Sequence, residues 1–501
     1  MTDLKSKADA LKDKGNQELK QNHFEKAVEF YTEAISLKPN PIYYSNRAQA
    51  QIKLENYGLA IADATSAIEL DPSYLKAYYR RAVATFAILD YRKAKLDVKM
   101  VLSKVPNDPN SKKLAAEIDQ IIKRIAFEKA IAVDEKESVI QELDFNAIQL
   151  ENDYDGAPLE IEVTGKGQDR NLSVNITQEY LKQMIQRFKN GKKLPKKHAF
   201  AIVAAANEVF KNEHSLVEFG FDRNNSQEEA LPDTVKTITI CGDTHGQFYD
   251  VLNIFESFGN VGPNHVYLFN GDFVDRGSWS CEVAFLLFTL KLLYPKFFYL
   301  NRGNHETNSM NKVYGFEDEC KYKYGERLFT CFSEAFNSLP YATLIGQEYL
   351  VMHGGLFSDD KKTLQDIRNI KRVPNRQPPN EGVEMELLWT DPQVMPGRSP
   401  SKRGVGIQFG PDITYRFCRS NNLKAIIRSH EVRMGGYEEE HDGKLITVFS
   451  APNYCDTQGN LGAVVNLTSD EKKEYRIDFK TFKEVPHPDI KPMAYTNSGG
   501  F

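Results

Sequence analysis

Small and apolar positions return at helical spacing through the first third of the chain. The segments FEKAVEFYTEAISLKP, YGLAIADATSAIELDP and YRKAKLDVKMVLSKVP superimpose with offsets of 33 and then 34 residues. Gly15, Ala48 and Ala82 align in the first helix of each unit; Ala27, Ala60 and Ala94, then Ala34, Ala67 and Val101, align in the second. Small residues let antiparallel helices approach closely, and Pro39, Pro72 and Pro106 stop each second helix. The pattern predicts three helix pairs, sealed by a capping helix in KKLAAEIDQIIKRIAFEKAI, over residues 1–130. The acidic stretch that follows, with Gly156 and Pro158, reads as a linker over 131–164. From 165 the period changes. KTITICGD, HVYLFNGD, FFYLNRGN, YLVMHGG, AIIRSHE and LITVFSAP are short apolar runs between helical stretches, which predicts an α/β unit with a buried sheet over 165–485 and a tail over 486–501. Five of these runs end in a small residue plus Asp, Asn or His, as expected where ligands project beyond strand ends.

Composition narrows the class. A chain of 501 residues with 41% hydrophobic and 27% charged residues is ordinary globular material, long enough for two or more domains. The start, MTDLKSKADALKDKG, has no apolar core of a leader, and nothing approaches a membrane span, so no stable membrane insertion is expected. Six scattered cysteines without a CxxC pair suit free thiols in the cytoplasm or nucleus. Residues 1–129 carry 22 Lys and Arg against 17 Asp and Glu, a net of +5 in a chain of net −5, which leaves −10 for the remainder. A mildly basic helical unit suits an acidic peptide, and the negative remainder disfavours nucleic acid.

Five motifs carry the chemistry: GDTHGQ (242–247), GDFVDRG (271–277), RGNHE (302–306), HGG (353–355) and RSHE (428–431). They set Asp243, His245, Asp272, Asn304, His353 and His430 at strand-to-loop junctions, the six N and O donors that two hard or borderline cations need. Adjacent glycines remove side-chain bulk beside the ligands. The series resembles the phosphoprotein phosphatase family of metallophosphoesterases. That resemblance implies a β-sandwich flanked by helices, with Asp243, His245 and Asp272 on one divalent metal and Asp272, Asn304, His353 and His430 on a second, manganese or an iron/zinc pair. Asp272 would bridge them. It further implies that Arg276 and Arg403 clamp the phosphate, that His305 protonates the leaving alkoxide, and that Asp275 orients His305 or forms a structural ion pair. Tyr454 is expected either to bond phosphate or to pack, and Trp389 to line the groove or the core. Cys455 lacks the CX5R loop of a nucleophile. The histidines outside the motifs (His23, His198, His214, His265, His441, His487) are expected at the surface or in loops.

The N-terminal units resemble tetratricopeptide repeats. The fold class expected for the whole chain is therefore α+β multidomain, an all-α repeat superhelix joined to an α/β metallophosphoesterase sandwich. Lys12 and Asn16, and Lys76 and Arg80, are each four apart and so share a helix face, with Asn46 on the helix between. The repeat resemblance implies a two-carboxylate clamp for the EEVD tail of the ninety-kilodalton heat-shock chaperone, and the phosphatase resemblance implies phosphoprotein substrates at the other unit. It also implies autoinhibition, with Glu55 either entering the catalytic groove or lying solvated in its turn, and the tail helping to hold the closed form. Two rivals stand beside this reading: a scaffold with a catalytically idle domain, and hydrolysis of nucleotides or small phosphate esters.

Overall fold

The structure is a computed structural model that describes residues 2–130, 138–165, 171–221, 229–372, 376–469 and 474–496. It divides into two compact units: residues 1–135 with 399–408 and 497–501, and residues 136–398 with 409–496.

The first unit is three antiparallel helix pairs, Thr2–Lys20 with Phe24–Leu37, Pro41–Lys53 with Tyr57–Leu70, and Leu75–Ala87 with Tyr91–Lys104, followed by the helix Pro109–Ala130. Ala27, Ala34, Ala48, Ala60, Ala67, Ala82 and Ala94 are all fully buried at the helix contacts. A Cβ on Gly15 would lie 2.6 Å from the Tyr31 ring, so only hydrogen fits there. The residue two before each closing proline ends its helix, because proline forbids the α conformation to the residue before it: Lys38 and Asp71 are extended. Asn40 and Asp108 cap the next helices by accepting from Ile42 N–H (2.9 Å) and Ser111 N–H (2.8 Å).

The second unit holds two sheets. In spatial order one runs Tyr475–Phe482, Gly462–Ser469, Thr237–Cys241, His265–Asn270, Phe298–Asn301; the other runs Tyr437–Glu440, Leu445–Val448, Ala425–Arg428, Tyr349–Met352, Ala342–Ile345, Leu216–Gly220, Glu229–Ala230. Strand periodicity builds the layers. Ile238, Ile240, Val266 and Leu268 share one core with Tyr349, Val351, Ile427 and Val448 from the other sheet. Their neighbours Cys241, Tyr267 and Phe269 face a helical core with Phe248, Phe285 and Phe332, and Leu350, Met352 and Ile426 face another with Leu356, Ile413 and Phe417. Two sheets with helices on both outer faces are the expected flanked sandwich.

One expectation is corrected. Residues 138–164 are no linker: Ile140, Leu143, Phe145 and Leu159 are buried in the helical core, and Glu334 accepts from Ser138 Oγ (2.6 Å) and Val139 N–H (2.7 Å). Their short apolar spacing follows no helical or strand period, which hid the packing role; residues 131–137 lie outside the described set. The expected boundary at 165 also falls within a two-stranded ribbon, Glu160–Thr164 with Asn171–Asn175. The tail through Thr496 belongs to the second unit; residues 497–501 are outside the described set.

Candidate metal centre and phosphate site

Thr237–Cys241, His265–Asn270 and Phe298–Asn301 run parallel, as do Tyr349–Met352, Ala425–Arg428 and Leu445–Val448. Their carboxyl ends deliver Asp243, Asp272, Asn304, His353 and His430, and His245 follows from the first of these loops. Backbone strain marks the place. His245, Asp272, Asp275, Arg276 and His430 all adopt positive φ (40°, 50°, 70°, 68° and 71°), costing of order 1–3 kcal/mol each, and such strain persists where surrounding structure over-determines it. A Cβ on Gly303 would meet Asp272 Oδ1 at 2.2 Å, so this glycine lets the RGNHE loop lie against the shared carboxylate.

All six predicted donors are buried and converge. His245, Asp272 and His305 offer ligand atoms within 4.8 Å of one another, and so do Asp272, His353 and His430; Asp272 is common to both groups. Asp243 lies 3.6 Å from His245 Nε2 through Oδ2, and its Oδ1 accepts from His430 N–H at 3.0 Å. His245 and His353 direct their Nδ1 atoms at the carbonyls of Val274 (3.0 Å) and Asn270 (2.9 Å), so each Nε2 turns a lone pair toward carboxylates. One terminal atom of the Asn304 amide sits 2.8 Å from His353 Nε2, 3.0 Å from His430 Nδ1 and 3.0 Å from Asp272 Oδ2. Lone pairs crowded in this way repel unless a cation lies among them, and the donor set is one that divalent metals accept. Protonation shows the same demand. Burial opposes the charge on His353, but Asp272 and Asp243 outweigh it and push the imidazole up to about 9.

Beside the donors, His305 Nδ1 lies 2.8 Å from Asp275 Oδ2, which also accepts from Asn311 Nδ2 (2.9 Å), while Asp275 Oδ1 accepts from Phe316 N–H (2.9 Å). Asp275 therefore pairs with the histidine, and burial pushes its carboxyl up to about 7 against those donors. The Arg276 guanidinium lies 3.9 Å over the Tyr314 ring. Tyr454 packs its ring 5.1 Å from His245 and 5.2 Å from Phe449, and Trp389 stands edge-on to His430 at 5.7 Å, so both aromatics pack against imidazoles of the donor cluster. Arg403 lies in the 399–408 segment of the first unit, where its N–H donates to Ser401 Oγ at 3.0 Å. Cys455 is one of six free cysteines.

Three contributors had no motif role in the sequence. Glu306 accepts from Asp272 N–H (2.8 Å), Phe273 N–H (3.0 Å) and Gly303 N–H (2.8 Å), tying two ligand loops together; burial and the Asp272 charge push it up to about 8. Its place in RGNHE was the available signal. Asn311 and Tyr314 come from the helix Asn308–Tyr314, where a spacing of three shares a face but nothing marks the residues as special. Two histidines are corrected as well. His198 is buried, 3.3 Å from Tyr180 OH, and His265 lies in a strand 2.6 Å from Thr239 Oγ1.

In the repeat unit, Asn46 Nδ2 donates to Asn16 Oδ1 (3.0 Å) and Arg80 Nη1 to Asn46 Oδ1 (3.1 Å), joining the first helices of all three repeats. Lys12 pairs with Asp13 at 2.9 Å, and Lys76 is exposed. Glu55 occupies the turn after Pro41–Lys53 with φ 60°.

Similarities to known proteins cover both units. The Calcineurin-like phosphoesterase family matches residues 236–434, the PPP5 TPR repeat region 115–218, and the Tetratricopeptide repeat 8–41 and 42–74. The chain is 54% identical over 492 residues to serine/threonine-protein phosphatase T of Aspergillus oryzae, covering 98% of this chain and 97% of that one. To human serine/threonine-protein phosphatase 5 it is 48% identical over 494 residues, covering 98% and 93%. A solved Saccharomyces cerevisiae phosphatase, described as similar to human PP5, matches with TM-score 0.59 and 55% identity, covering 64% of this chain and all of that one.

Proposed function

Because this chain belongs to the serine/threonine-protein phosphatase 5 family and is a phosphoprotein phosphatase with tetratricopeptide repeats, we propose that it hydrolyses phosphoserine and phosphothreonine at the cluster around Asp272 and restrains that activity through its repeats. The observation that carries the reading is the convergence of six buried donors beside the His305–Asp275 pair. Asp243, His245 and Asp272 would hold one divalent cation and Asp272, Asn304, His353 and His430 the other, manganese or iron with zinc. When bound, such a pair supplies neutralisation of phosphate oxygens and acidification of water. The chain's own residues do the rest. Arg276 and Arg403 orient the dianion with guanidinium forks, His305 gives its proton from Nε2 to the departing alkoxide while Asp275 holds Nδ1, and Tyr454 packs against His245.

Asn16, Asn46 and Arg80, linked across three helices, with Lys12 and Lys76 beside them, supply cations and amide donors suited to the terminal carboxylates of the chaperone's EEVD tail. The charge split of +5 against −10 favours a resting state in which the repeats limit access to the cluster, with Glu55 and the tail as contributors. A ligand taken by the open form then raises turnover by population shift. Free cysteines suit the cytoplasm and nucleus.

The discriminating experiment measures turnover of phosphoserine peptides and of dinucleotides side by side, in the full chain and in a chain lacking residues 1–130. The cut stops there because Ile140, Leu143 and Phe145 belong to the second unit's core. Efficient phosphopeptide turnover that rises several-fold on truncation, matching couplings of about 1–3 kcal/mol, supports the proposal. Preferred dinucleotide turnover would transfer it to small esters, and equal phosphopeptide turnover in the two chains would remove the restraint.

A further inference from the structure

The turn that carries Arg276 is left-handed at two consecutive non-glycine residues, Asp275 and Arg276, and therefore needs outside help to keep its shape. Part of that help comes from more than two hundred residues away, from the irregular segment Val485–Thr496. Met493 N–H donates to the Arg276 carbonyl at 2.9 Å. Ser278 Oγ donates to the Lys491 carbonyl at 2.6 Å and accepts from Ala494 N–H at 3.1 Å. On the other side of the turn Lys323 Nζ donates to the Ser278 carbonyl at 3.2 Å, and Glu282 (2.6 Å) and Glu319 (2.9 Å) hold the ammonium in place. The same segment reaches this side too, because the Tyr495 ring lies 5.0 Å from Lys323 Nζ. Further along, Val485 N–H donates to Asp250 Oδ1 at 2.9 Å and the His487 ring meets Trp279 at 5.1 Å.

We propose that Val485–Thr496 is a strap belonging to the phosphate-binding apparatus, and that Ser278 is the positioning residue through which the strap holds Arg276. The main chain of Arg276 is fixed at both polar groups: its N–H donates to the Tyr314 carbonyl at 2.9 Å and its carbonyl accepts from the strap. With the guanidinium laid over the Tyr314 ring, the strap sets the direction from which the fork meets a phosphate. Ser278 is 1% exposed, so water cannot replace its two strap bonds without rearrangement. The inference rests on the assignment of Arg276 to the phosphate.

The test is made in the chain lacking residues 1–130, where the repeats cannot restrain turnover, and compares it with the same chain carrying Ser278→Ala, ending at Glu484, or both, at equal metal loading. Phosphopeptide KM, kcat and inhibition by orthophosphate are read together. Each single change should raise KM and weaken orthophosphate inhibition about five- to tenfold with a smaller effect on kcat, as expected for misplacing a binding group. In the combined variant Ser278→Ala should add less than twofold, because its partner is already gone. If the longer truncation fails to fold, ending the chain at Met493 serves in its place: it removes the Ala494 donor and the Tyr495 ring but keeps the Lys491 and Met493 bonds. Unchanged KM and orthophosphate inhibition in Ser278→Ala, fully multiplicative effects, or a rise in kcat/KM on removing the strap would each overturn the proposal. Arg276→Lys is the control: if it leaves KM and orthophosphate inhibition unchanged, the assignment of Arg276 itself has failed.

Discussion

The two units bury polar residues in opposite ways. In the repeats, Arg47 forks onto Asp63 (2.9 and 2.7 Å) and Arg81 onto Asp97 (2.8 and 2.8 Å), each across 16 residues and one repeat apart. At the equivalent positions of the first repeat, Lys14 instead lies 5.8 Å over the Phe30 ring. These braces are local copies, each joining the first helix of its repeat to the second. In the second unit, by contrast, buried charge from many strands converges on one end of the sheets, with strain at five ligand-loop residues. A repeat can therefore lose a brace and remain one of three, whereas the cluster fails when a single shared carboxylate is lost. Distributed polarity supports shape, and concentrated polarity supports chemistry.

That contrast can be broken by mutation. The largest effect is expected for Asp272→Asn, which weakens both donor groups at once: turnover should fall to background and metal analysis should show depletion. His305→Asn should cost about a hundredfold to ten-thousandfold in turnover, the range of a lost general acid, with metal content retained. A metal-depleted His305 variant would make it a ligand, consistent with its nearness to His245 and Asp272, and would contradict the acid role. In the repeats, Lys76→Glu or Arg80→Glu should abolish calorimetric binding of an EEVD-ending peptide, by opposing a carboxylate directly. Smaller again, Asp63→Ala should destabilise the second repeat by about 1–3 kcal/mol, seen as faster hydrogen exchange in Pro41–Lys53 and Tyr57–Leu70, with kcat unchanged.

Acid sharpens the comparison from the stability side. Burial pushes His198 and His265 down to about 4 from 6.5. A histidine depressed in the folded state contributes stability that is present above pH 6.5 and lost as pH falls toward 4, because the unfolded chain takes up the proton first. Both residues lie in the second unit, while the repeats contain His23 alone. His198→Phe should therefore lessen whatever stability the second unit loses between pH 6.5 and 4, in a pH titration followed by hydrogen exchange.

What the sequence disclosed follows the same division. Repeats were legible because their packing is periodic: every aligned alanine is buried. The donor cluster was legible because each ligand needs a particular residue type beside a small one at a strand end. Residues 138–164 were misread because they pack against a core made by distant elements, and such packing leaves no period in their own sequence. Asn311, Tyr314 and the strap on Ser278 escaped for a related reason, since their roles depend on partners brought close by the fold rather than on neighbours in the chain.

The central claim is that two cations among six converging donors drive phosphate hydrolysis here. It is tested most directly by titrating the metal-depleted full chain with manganese while following phosphoserine peptide turnover. The account predicts no turnover without metal and activity that rises to a break at two equivalents per chain. Turnover in the absence of metal, or saturation at one equivalent, would contradict it.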